Sequence, residues 1–291
     1  MYRKQRSMKI PMIMISTLFI FVMLILPLLS VVINSLSKGL SFYVDSLRTS
    51  NVISALKLSL IVTGITVAVN TLFGLIASWA LTRYSVRGRN IISALIDIPF
   101  SVSPVIAGLA FIMIFGRLGW AAPIIEHINS LTGMDIKIVF AVPGVVLATI
   151  FVTFSFVLRE LVPVLNSVGT DEEEAAALMG AGCFTIFRRI TFPHIRWALI
   201  YGVVLCTARA LGEFGAVNAL SKTRGKTFTL PLEIDALYLS GSADSIVAAY
   251  AVSSILVVLA LILLALRNIF EYRTRHARLS DEELDNEVED L

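Results

Sequence analysis

The sequence predicts an all-α membrane protein with six transmembrane helices. Of the 291 residues, 57% are hydrophobic and 15% are charged, and the mean hydropathy is +0.84. Because soluble domains carry about 25% charged residues, this composition indicates that much of the surface faces lipid. A helix that crosses a bilayer needs about 20 mostly apolar residues. The segments that meet this requirement are 10–33, 56–81, 91–115, 138–157, 197–220 and 246–266.

The first of these segments is predicted to remain in the membrane rather than to be cleaved as a signal peptide. It follows basic residues within segment 1–9, as a signal peptide would. However, the apolar core of a signal peptide spans only about 7–15 residues and ends in a small-x-small cleavage site. Segment 10–33 is longer and carries no such site, which indicates a transmembrane helix.

The distribution of lysine and arginine predicts that both termini are cytoplasmic, because cytoplasmic loops are enriched in these residues. The two termini and the loops after the second and fourth spans together hold 15 of them, whereas the loops on the opposite side hold 8. The chain therefore divides into a cytoplasmic N-terminal segment (1–9), a six-helix transmembrane domain (10–266) and a cytoplasmic acidic tail (267–291). We expect the acidic end of the tail to be solvated and disordered.

A long predicted cytoplasmic loop, about residues 170–193 and here called the central loop, begins with a helix signal. Thr170 and Glu173 have the spacing of a capping box, in which each side chain bonds to the backbone of the other residue. The acidic residues 171–174 place negative charge at the positive end of the helix dipole. A helix over 171–179 is therefore predicted.

Glycine and proline divide the rest of the central loop. Gly180 or Gly182 can end the first helix, because glycine tolerates the left-handed conformation of a C-terminal cap. A second short helix over 184–190 should stop before Pro193, because the residue before a proline disfavours the helical conformation. Such a compact loop is suited to dock a soluble protein, although an ordinary amphipathic loop helix has the same features.

The central loop also carries a spaced motif that resembles the signature of bacterial ABC-importer permeases, Glu-Ala-Ala-x3-Gly-x9-Ile-x-Leu-Pro. The departure is Phe192, which stands where the family usually has leucine. The resemblance implies a type I ABC-importer permease fold, in which this loop forms a coupling helix that sits in a cleft of a separate ATPase subunit. The residues that match the motif, and that the resemblance assigns to ATPase coupling, are Glu174, Ala175, Ala176, Gly180, Ile190 and Pro193.

Segments outside the central loop are similar to permeases that import oxyanions. Residues 97–105 and 208–217 resemble the sulfate/thiosulfate and molybdate permeases, and residues 188–199 and 224–232 are similar to the W-type subunit of sulfate/thiosulfate importers. The resemblance covers about residues 53–266 and implies a multi-pass protein of the bacterial plasma (inner) membrane. The implied partners are cytoplasmic ABC ATPase subunits that bind ATP-Mg, a second homologous permease subunit of the T type, and an extracytoplasmic sulfate/thiosulfate-binding protein.

Two ionisable residues, Arg209 and Glu213, lie inside the fifth predicted span. A charge within a membrane is costly, usually has a partner, and faces the helix bundle or water. The two residues are four apart, but arginine before glutamate is the less favourable order for a pair within one helix, so a partner on another helix or subunit is an alternative. We interpret both as residues that line or gate a translocation path. The competing interpretation is a buried structural ion pair.

Two prolines are predicted to break the third span. Pro99 and Pro104 each lack an amide donor, and broken membrane helices are tolerated where they are buried in protein or line a cavity. The hydroxyls of Ser101 and Ser103 could pass an anion without a fixed charge, so both are candidate path residues. A packed kink with both serines bonded back to the helix is the alternative.

The sequence contains no constellation that indicates catalysis. It has no phosphate-binding loop, and Cys183 and Cys206 lie in settings too different to suggest a disulfide or a metal site. We therefore expect a transport subunit without a cofactor, with ATP hydrolysis on a partner chain. The alternatives are a molybdate or tungstate permease of the same type and a secondary anion transporter driven by an ion gradient. The latter would predict an internal repeat, which the sequence does not show.

Overall fold

A computed structural model describes residues 2–84, 88–133, 135 and 137–289, and the regular elements in these ranges are all helical. The all-α class predicted from the composition is therefore confirmed. Residue 1 of the predicted N-terminal segment and residues 290–291 of the acidic tail lie outside the described residues. The helices are α1 (Tyr2–Ile20), a π-helical turn (Phe21–Ile25), α2 (Leu26–Ser35), α3 (Leu40–Arg48), α4 (Ser50–Arg83), α5 (Arg89–Ser101), α6 (Pro104–Phe115), α7 (Ala122–Thr132), α8 (Val142–Thr153), α9 (Ser155–Val168), α10 (Asp171–Leu178), α11 (Cys183–Ile186), a second π-helical segment (Phe187–Thr191), α12 (Phe192–Leu211), α13 (Gly215–Leu220), α14 (Leu230–Leu239) and α15 (Ala243–Glu289).

Within the described ranges, five helices are long and apolar enough to cross a membrane, and the number is six if the bent pair α5–α6 forms one span. Each of the six predicted spans has a helical counterpart, but with different ends. The second is longer than predicted (Ser50–Arg83), and the fourth extends over Val142–Val168, so Arg159 lies in a helix and not in a loop. The last helix continues to Glu289, so the expectation of a disordered acidic end is wrong as far as that residue.

The third span is broken, as predicted, at the second of its two prolines. α5 runs through Pro99 to Ser101, α6 begins at Pro104, and the two helices are bent by 105°. Ser103 has an extended backbone (φ −58°, ψ 131°) because the residue before a proline disfavours the helical region. Pro104 is the first residue of α6, where its missing amide leaves no helical hydrogen bond unmade. The break is therefore set by Pro104.

The fifth span differs from the prediction of one helix over 197–220. The continuous helix begins at Cys183, passes through the second π-helical segment and ends at Leu211. The chain leaves the helix at Gly212 and then starts the separate short helix α13 at Gly215. The prediction failed because hydrophobic periodicity reports the polarity of a segment and not the continuity of its backbone.

The two broken spans pack against each other where each is broken. A Cβ atom at Gly215, the first residue of α13, would lie 3.0 Å from the Cβ of Pro104. One turn further along α6, a Cβ atom at Gly108 would lie 2.7 Å from the carbonyl oxygen of Ala216 and 2.8 Å from the Cβ of Ala219. Glycine at both positions therefore lets the two helices approach at backbone distance, and they start side by side.

Replacing Gly108 by alanine is expected to lower the midpoint temperature of unfolding of the purified protein in detergent, because the added Cβ would meet the backbone of α13. Overpacking of this kind costs about 1–3 kcal/mol. Gly64→Ala is the matched control, since a Cβ at Gly64 in α4 meets nothing within 4 Å and alanine favours a helix. Equal midpoints for the wild type and Gly108→Ala would contradict this close approach.

A buried polar cluster lies at the centre of the bundle, where α4, α8, α9 and α12 meet. Asn70 is fully buried, and its side-chain amide donates to the hydroxyl of Thr153 at 2.8 Å. The Sγ atom of Cys206 lies 3.7 Å from the same nitrogen. Polar side chains at such positions hold membrane helices together because lipid offers them no partner.

The first span packs on the last one. α2 lies along α15, and the hydroxyls of Tyr43 in α3 and Ser254 in α15 are 2.8 Å apart. No side chain in the most apolar part of span Pro11–Ser35 is buried. The first span therefore lies at the edge of the bundle.

Candidate functional site

The first helix of the central loop forms where the sequence predicts it, but its start is held differently. α10 spans Asp171–Leu178, one residue fewer than the predicted 171–179. The hydroxyl of Thr170 donates to the carboxylate of Glu174 at 2.8 Å and does not cap a backbone amide. The predicted capping box is therefore wrong, because the carboxylate of Glu173 is engaged elsewhere.

Glu173 is bound by two distant parts of the chain. Its carboxylate accepts hydrogen bonds from Nε and Nη2 of Arg83 at 2.8 and 2.9 Å, and from the hydroxyl of Thr191 at 2.8 Å. A third nitrogen of Arg83, Nη1, donates to the carbonyl oxygen of Leu165 at 3.1 Å. Both side chains of the ion pair are largely buried, with 8% of Arg83 and 15% of Glu173 exposed. The start of α10 is thereby fastened to the ends of α4 and α9 and to the segment that leads into α12.

Gly180 ends the first helix, which explains part of the spacing of the motif. It adopts a left-handed φ of +85°, and its amide donates to the carbonyl oxygen of Ala177 at 2.9 Å. The amide of Ala181 donates to the carbonyl oxygen of Ala176 at 3.0 Å. These two bonds form a Schellman motif, so the spacing Ala-x3-Gly is that of a helix C-terminus. Gly182 has an extended backbone (φ −73°, ψ 155°) and is not the cap.

The second helix of the central loop does not stop before Pro193, so that prediction is wrong. α11 continues through the π-helical segment Phe187–Thr191 into α12, and Pro193 falls in the first turn of α12. A π-helical segment bonds i→i+5 and widens the helix locally. This widening accommodates a proline, whose ring would clash with the carbonyl of residue i−4 inside a regular α-helix. Ile190 of the motif is half-buried and Pro193 is exposed.

The central loop exposes large apolar side chains. Leu178 and Met179 at the end of α10 are 90% and 83% exposed, and Phe184 in α11 is 74% exposed. Glu174 and Ala175 of the motif are exposed beside them in the sequence. Large exposed apolar side chains beside exposed charged residues are typical of a protein–protein interface.

Arg209 and Glu213 pair with each other at the break of the fifth span. Nη1 of Arg209 lies 2.6 Å from Oε2 of Glu213, and the two side chains are 33% and 1% exposed. The other carboxylate oxygen accepts a hydrogen bond from the amide of Ala216 in α13 at 2.9 Å. Because Glu213 lies beyond the last residue of α12, the unfavourable order of the two charges within a regular helix does not prevent the pair.

Ser101 and Ser103 lie at the break of the third span and are exposed in the isolated chain. The hydroxyl of Ser103 does not cap α6, although this residue occupies the N-cap position. The contact between Gly215 and Pro104 brings the two breaks together. The structure therefore joins the chain segments that carry the serines to the segment that carries Glu213.

A third ion pair, between Arg224 and Glu233, anchors the loop between α13 and α14. Nε of Arg224 donates to both carboxylate oxygens of Glu233 at 2.9 and 3.0 Å, and Glu233 is fully buried. These hydrogen bonds raise the pKa of Arg224 above its ordinary value, so the guanidinium keeps its charge at any working pH. Lys222 in the same loop lies 4.4 Å from the ring centre of Phe140, which precedes α8.

Known proteins match most of the chain. The family described as "Binding-protein-dependent transport system inner membrane component" matches residues 70–276. The "Sulfate transport system permease protein CysW" of Synechococcus elongatus is 43% identical over 267 residues, which cover 91% of this chain and 90% of that protein. The protein of the same name from Escherichia coli K12 is 41% identical over 86% of this chain and 83% of its own length.

A solved structure has a similar architecture. It is a chain of a bacterial alginate ABC transporter in complex with an alginate pentasaccharide-bound periplasmic protein. It superposes with a TM-score of 0.77 and covers 93% of this chain and 96% of its own length, at 17% sequence identity. At this identity the likeness concerns the fold alone.

Proposed function

The chain belongs to the family of binding-protein-dependent transport system inner membrane components, and on this premise we propose that it is the permease subunit of an ATP-driven importer of sulfate or thiosulfate. The expectation of an ABC-importer permease fold is confirmed by the solved transporter. The similarity to CysW proteins over about nine-tenths of both chains is the observation that carries the substrate.

The subunit supplies a membrane path and a coupling surface, while the chemistry takes place elsewhere. Its apolar helices and its similarity to bacterial permeases make it a multi-pass protein of the bacterial inner membrane. ATP is hydrolysed on separate cytoplasmic ABC ATPase subunits, and an extracytoplasmic binding protein delivers the anion. A second, homologous permease of the T type completes the path between the two subunits.

The central loop is the surface on which the ATPase docks. This assignment is supported by the exposed apolar side chains of Leu178, Met179 and Phe184 and by a rigid helix–turn–helix with a Schellman cap at Gly180. When ATP closes the pair of ATPase subunits, the central loop is pushed and the spans reopen toward the outside. The loop can transmit this push because its turn is fixed by backbone hydrogen bonds.

Arg209, Glu213, Ser101 and Ser103 line or gate the path. An unpaired arginine in a membrane would hold a dianion tightly, because the medium screens charge poorly. A carboxylate 2.6 Å away offsets most of the positive charge, so an anion can pass without being trapped. The exposed third of the Arg209 side chain and the exposed serines then offer polar contacts along the way.

The proposed function is tested by uptake of labelled sulfate into vesicles that contain this chain, the T-type permease, the ATPase and the binding protein. We expect uptake that requires ATP and that disappears when the ATPase is omitted. Uptake that persists without the ATPase would favour a gradient-driven carrier. Uptake of molybdate in place of sulfate would support an ATP-driven importer but with a different substrate.

A further inference from the structure

We infer that the ion pair between Arg83 and Glu173 is the latch through which the central loop moves α4. The inference rests on the proposed function, since it concerns how a movement of the ATPase subunits is transmitted to the membrane-spanning helices. It assigns a positioning role to two residues that lie outside the spaced motif of the central loop. Neither residue touches the transported anion in this scheme.

The latch is held by several short hydrogen bonds, which favour a joint movement of the two groups. The carboxylate of Glu173 accepts two hydrogen bonds from Arg83 and one from Thr191, all within 2.9 Å. A bidentate pair between arginine and a carboxylate fixes direction as well as distance. Because both side chains are largely buried, water screens the attraction less than it would at an open surface.

The space beside the latch makes the ion pair a direct connection between α10 and α4. A cavity of about 400 Å³ lies between these helices, and its lining includes Trp79, Arg83, Glu173, Cys183 and Phe187. Across an open cavity, two helices lack the dense van der Waals contacts by which packed helices usually transmit force. The ion pair between Arg83 and Glu173 is therefore a direct route by which a displacement of α10 reaches α4.

α4 is a single long helix, so a displacement of Arg83 at one end can be transmitted to the other side of the membrane. This helix has 34 residues and is therefore about 50 Å long at 1.5 Å per residue. Near its opposite end, the hydroxyl of Ser59 accepts a hydrogen bond from the amide of Leu230, the first residue of α14, at 2.7 Å. Asn51 at the start of α4 lies against Gly225 in the loop that Arg224 anchors. A continuous set of contacts thus joins the central loop to the loop between α13 and α14.

Neighbouring acidic residues on α10 do not share this arrangement. Glu172 is 62% exposed and lies 3.0 Å from the ring nitrogen of His194, which is itself 38% exposed. The carboxylate of Glu174 accepts a hydrogen bond from the hydroxyl of Thr170, four residues earlier in the chain. Glu172 therefore provides a matched control on the same helix, one position away from Glu173.

The test measures ATP hydrolysis and sulfate uptake together in vesicles that hold the complete transporter. Glu173→Gln keeps an acceptor for Thr191 but removes the charge that holds Arg83. We expect sulfate uptake to fall at least about tenfold, because the substitution weakens the charged hydrogen bonds between Arg83 and residue 173. The ATPase should stay bound and continue to hydrolyse ATP. The ATP consumed per sulfate should therefore rise. Glu172→Gln removes an equal charge from the same helix but leaves Arg83 bound, so it should keep the wild-type ratio of ATP to sulfate.

Exchanging the two charges, in the variant Arg83→Glu/Glu173→Arg, should restore part of the lost coupling, because it rebuilds the pair in the opposite sense. Three results would overturn the latch: a wild-type ATP-to-sulfate ratio in Glu173→Gln, loss of the ATPase from the purified Glu173→Gln complex, or no recovery in the exchanged pair. Absence of ATP-dependent uptake in the wild type would instead overturn the proposed function, and it would be seen before any substitution is made.

Discussion

Replacing Arg209 by leucine is expected to destabilise the protein by about 3 kcal/mol and to abolish sulfate uptake. The side chain of Glu213 is 1% exposed, and Arg209 balances its charge at 2.6 Å. Removing one partner of a buried ion pair leaves an uncompensated charge and costs about 3–5 kcal/mol. We expect the lower end of that range because Arg209 is one-third exposed. The unfolding midpoint of the purified complex and ATP-dependent uptake measure the two effects.

Glu213→Gln is the informative comparison for Arg209→Leu. It retains a side-chain oxygen for the amide of Ala216 and leaves the charge on Arg209, which water can reach, so a smaller loss of stability is expected. The double variant removes both charges and should be more stable than Arg209→Leu alone. If it is not, the unpaired carboxylate is not the source of the penalty. Uptake should stay low in the double variant if Arg209 lines the path.

Replacing Gly180 by valine is expected to reduce uptake by about 5- to 30-fold while the chain remains in the membrane. The backbone at Gly180 has a φ of +85°, and an L-residue pays about 1–2 kcal/mol in the left-handed region. A free energy of that size changes a conformational equilibrium by about 5- to 30-fold. The cost falls on the turn between α10 and α11, which positions Met179 relative to Phe184. ATP-dependent uptake and the amount of ATPase retained by the complex are the measurements.

Gly182→Val is the matched control for Gly180→Val. A Cβ atom at either glycine meets nothing within 4 Å, but only Gly180 has a positive φ. The two substitutions therefore add the same side chain and differ in backbone strain. Gly180→Asn should retain more uptake than Gly180→Val, because asparagine is tolerated at such caps. Equal losses at the two positions would mean that the added side chain, and not the backbone, disturbs docking.

The spans were predictable from the sequence because a bilayer constrains both the length and the polarity of a helix that crosses it. The ends of the spans were less predictable, because α4 and α9 continue as helices beyond their apolar segments. Arg83 and Arg159 therefore lie within helices. The break in the fifth span was missed. A signal was present in the sequence, because Gly212 and Gly215 bracket the charged residue Glu213.

The cap at Gly180 was predictable because it depends on backbone conformation within a few residues. The partner of Glu173 was not, because the capping box is a local pattern and Arg83 lies 90 residues away in the chain. Two observations in the sequence pointed toward this pair. An arginine follows the second apolar run, and four consecutive acidic residues lie in a loop predicted on the same side of the membrane. The candidate path residues remain predictions, although the structure joins their segments.

The contact between the first and last spans has a consequence for the order in which the protein is made. Ribosomes add about 5–20 residues per second, so the roughly 200 residues between Ser35 and Ala243 take about 10–40 s to synthesise. During that interval the nascent first span has no α15 beside it. Among the five continuous spans in the described ranges, the first and the last have the highest mean hydropathies, 2.7 and 2.8, which favours the entry of each into lipid. The first span can therefore dock on the last one only after α15 has been made.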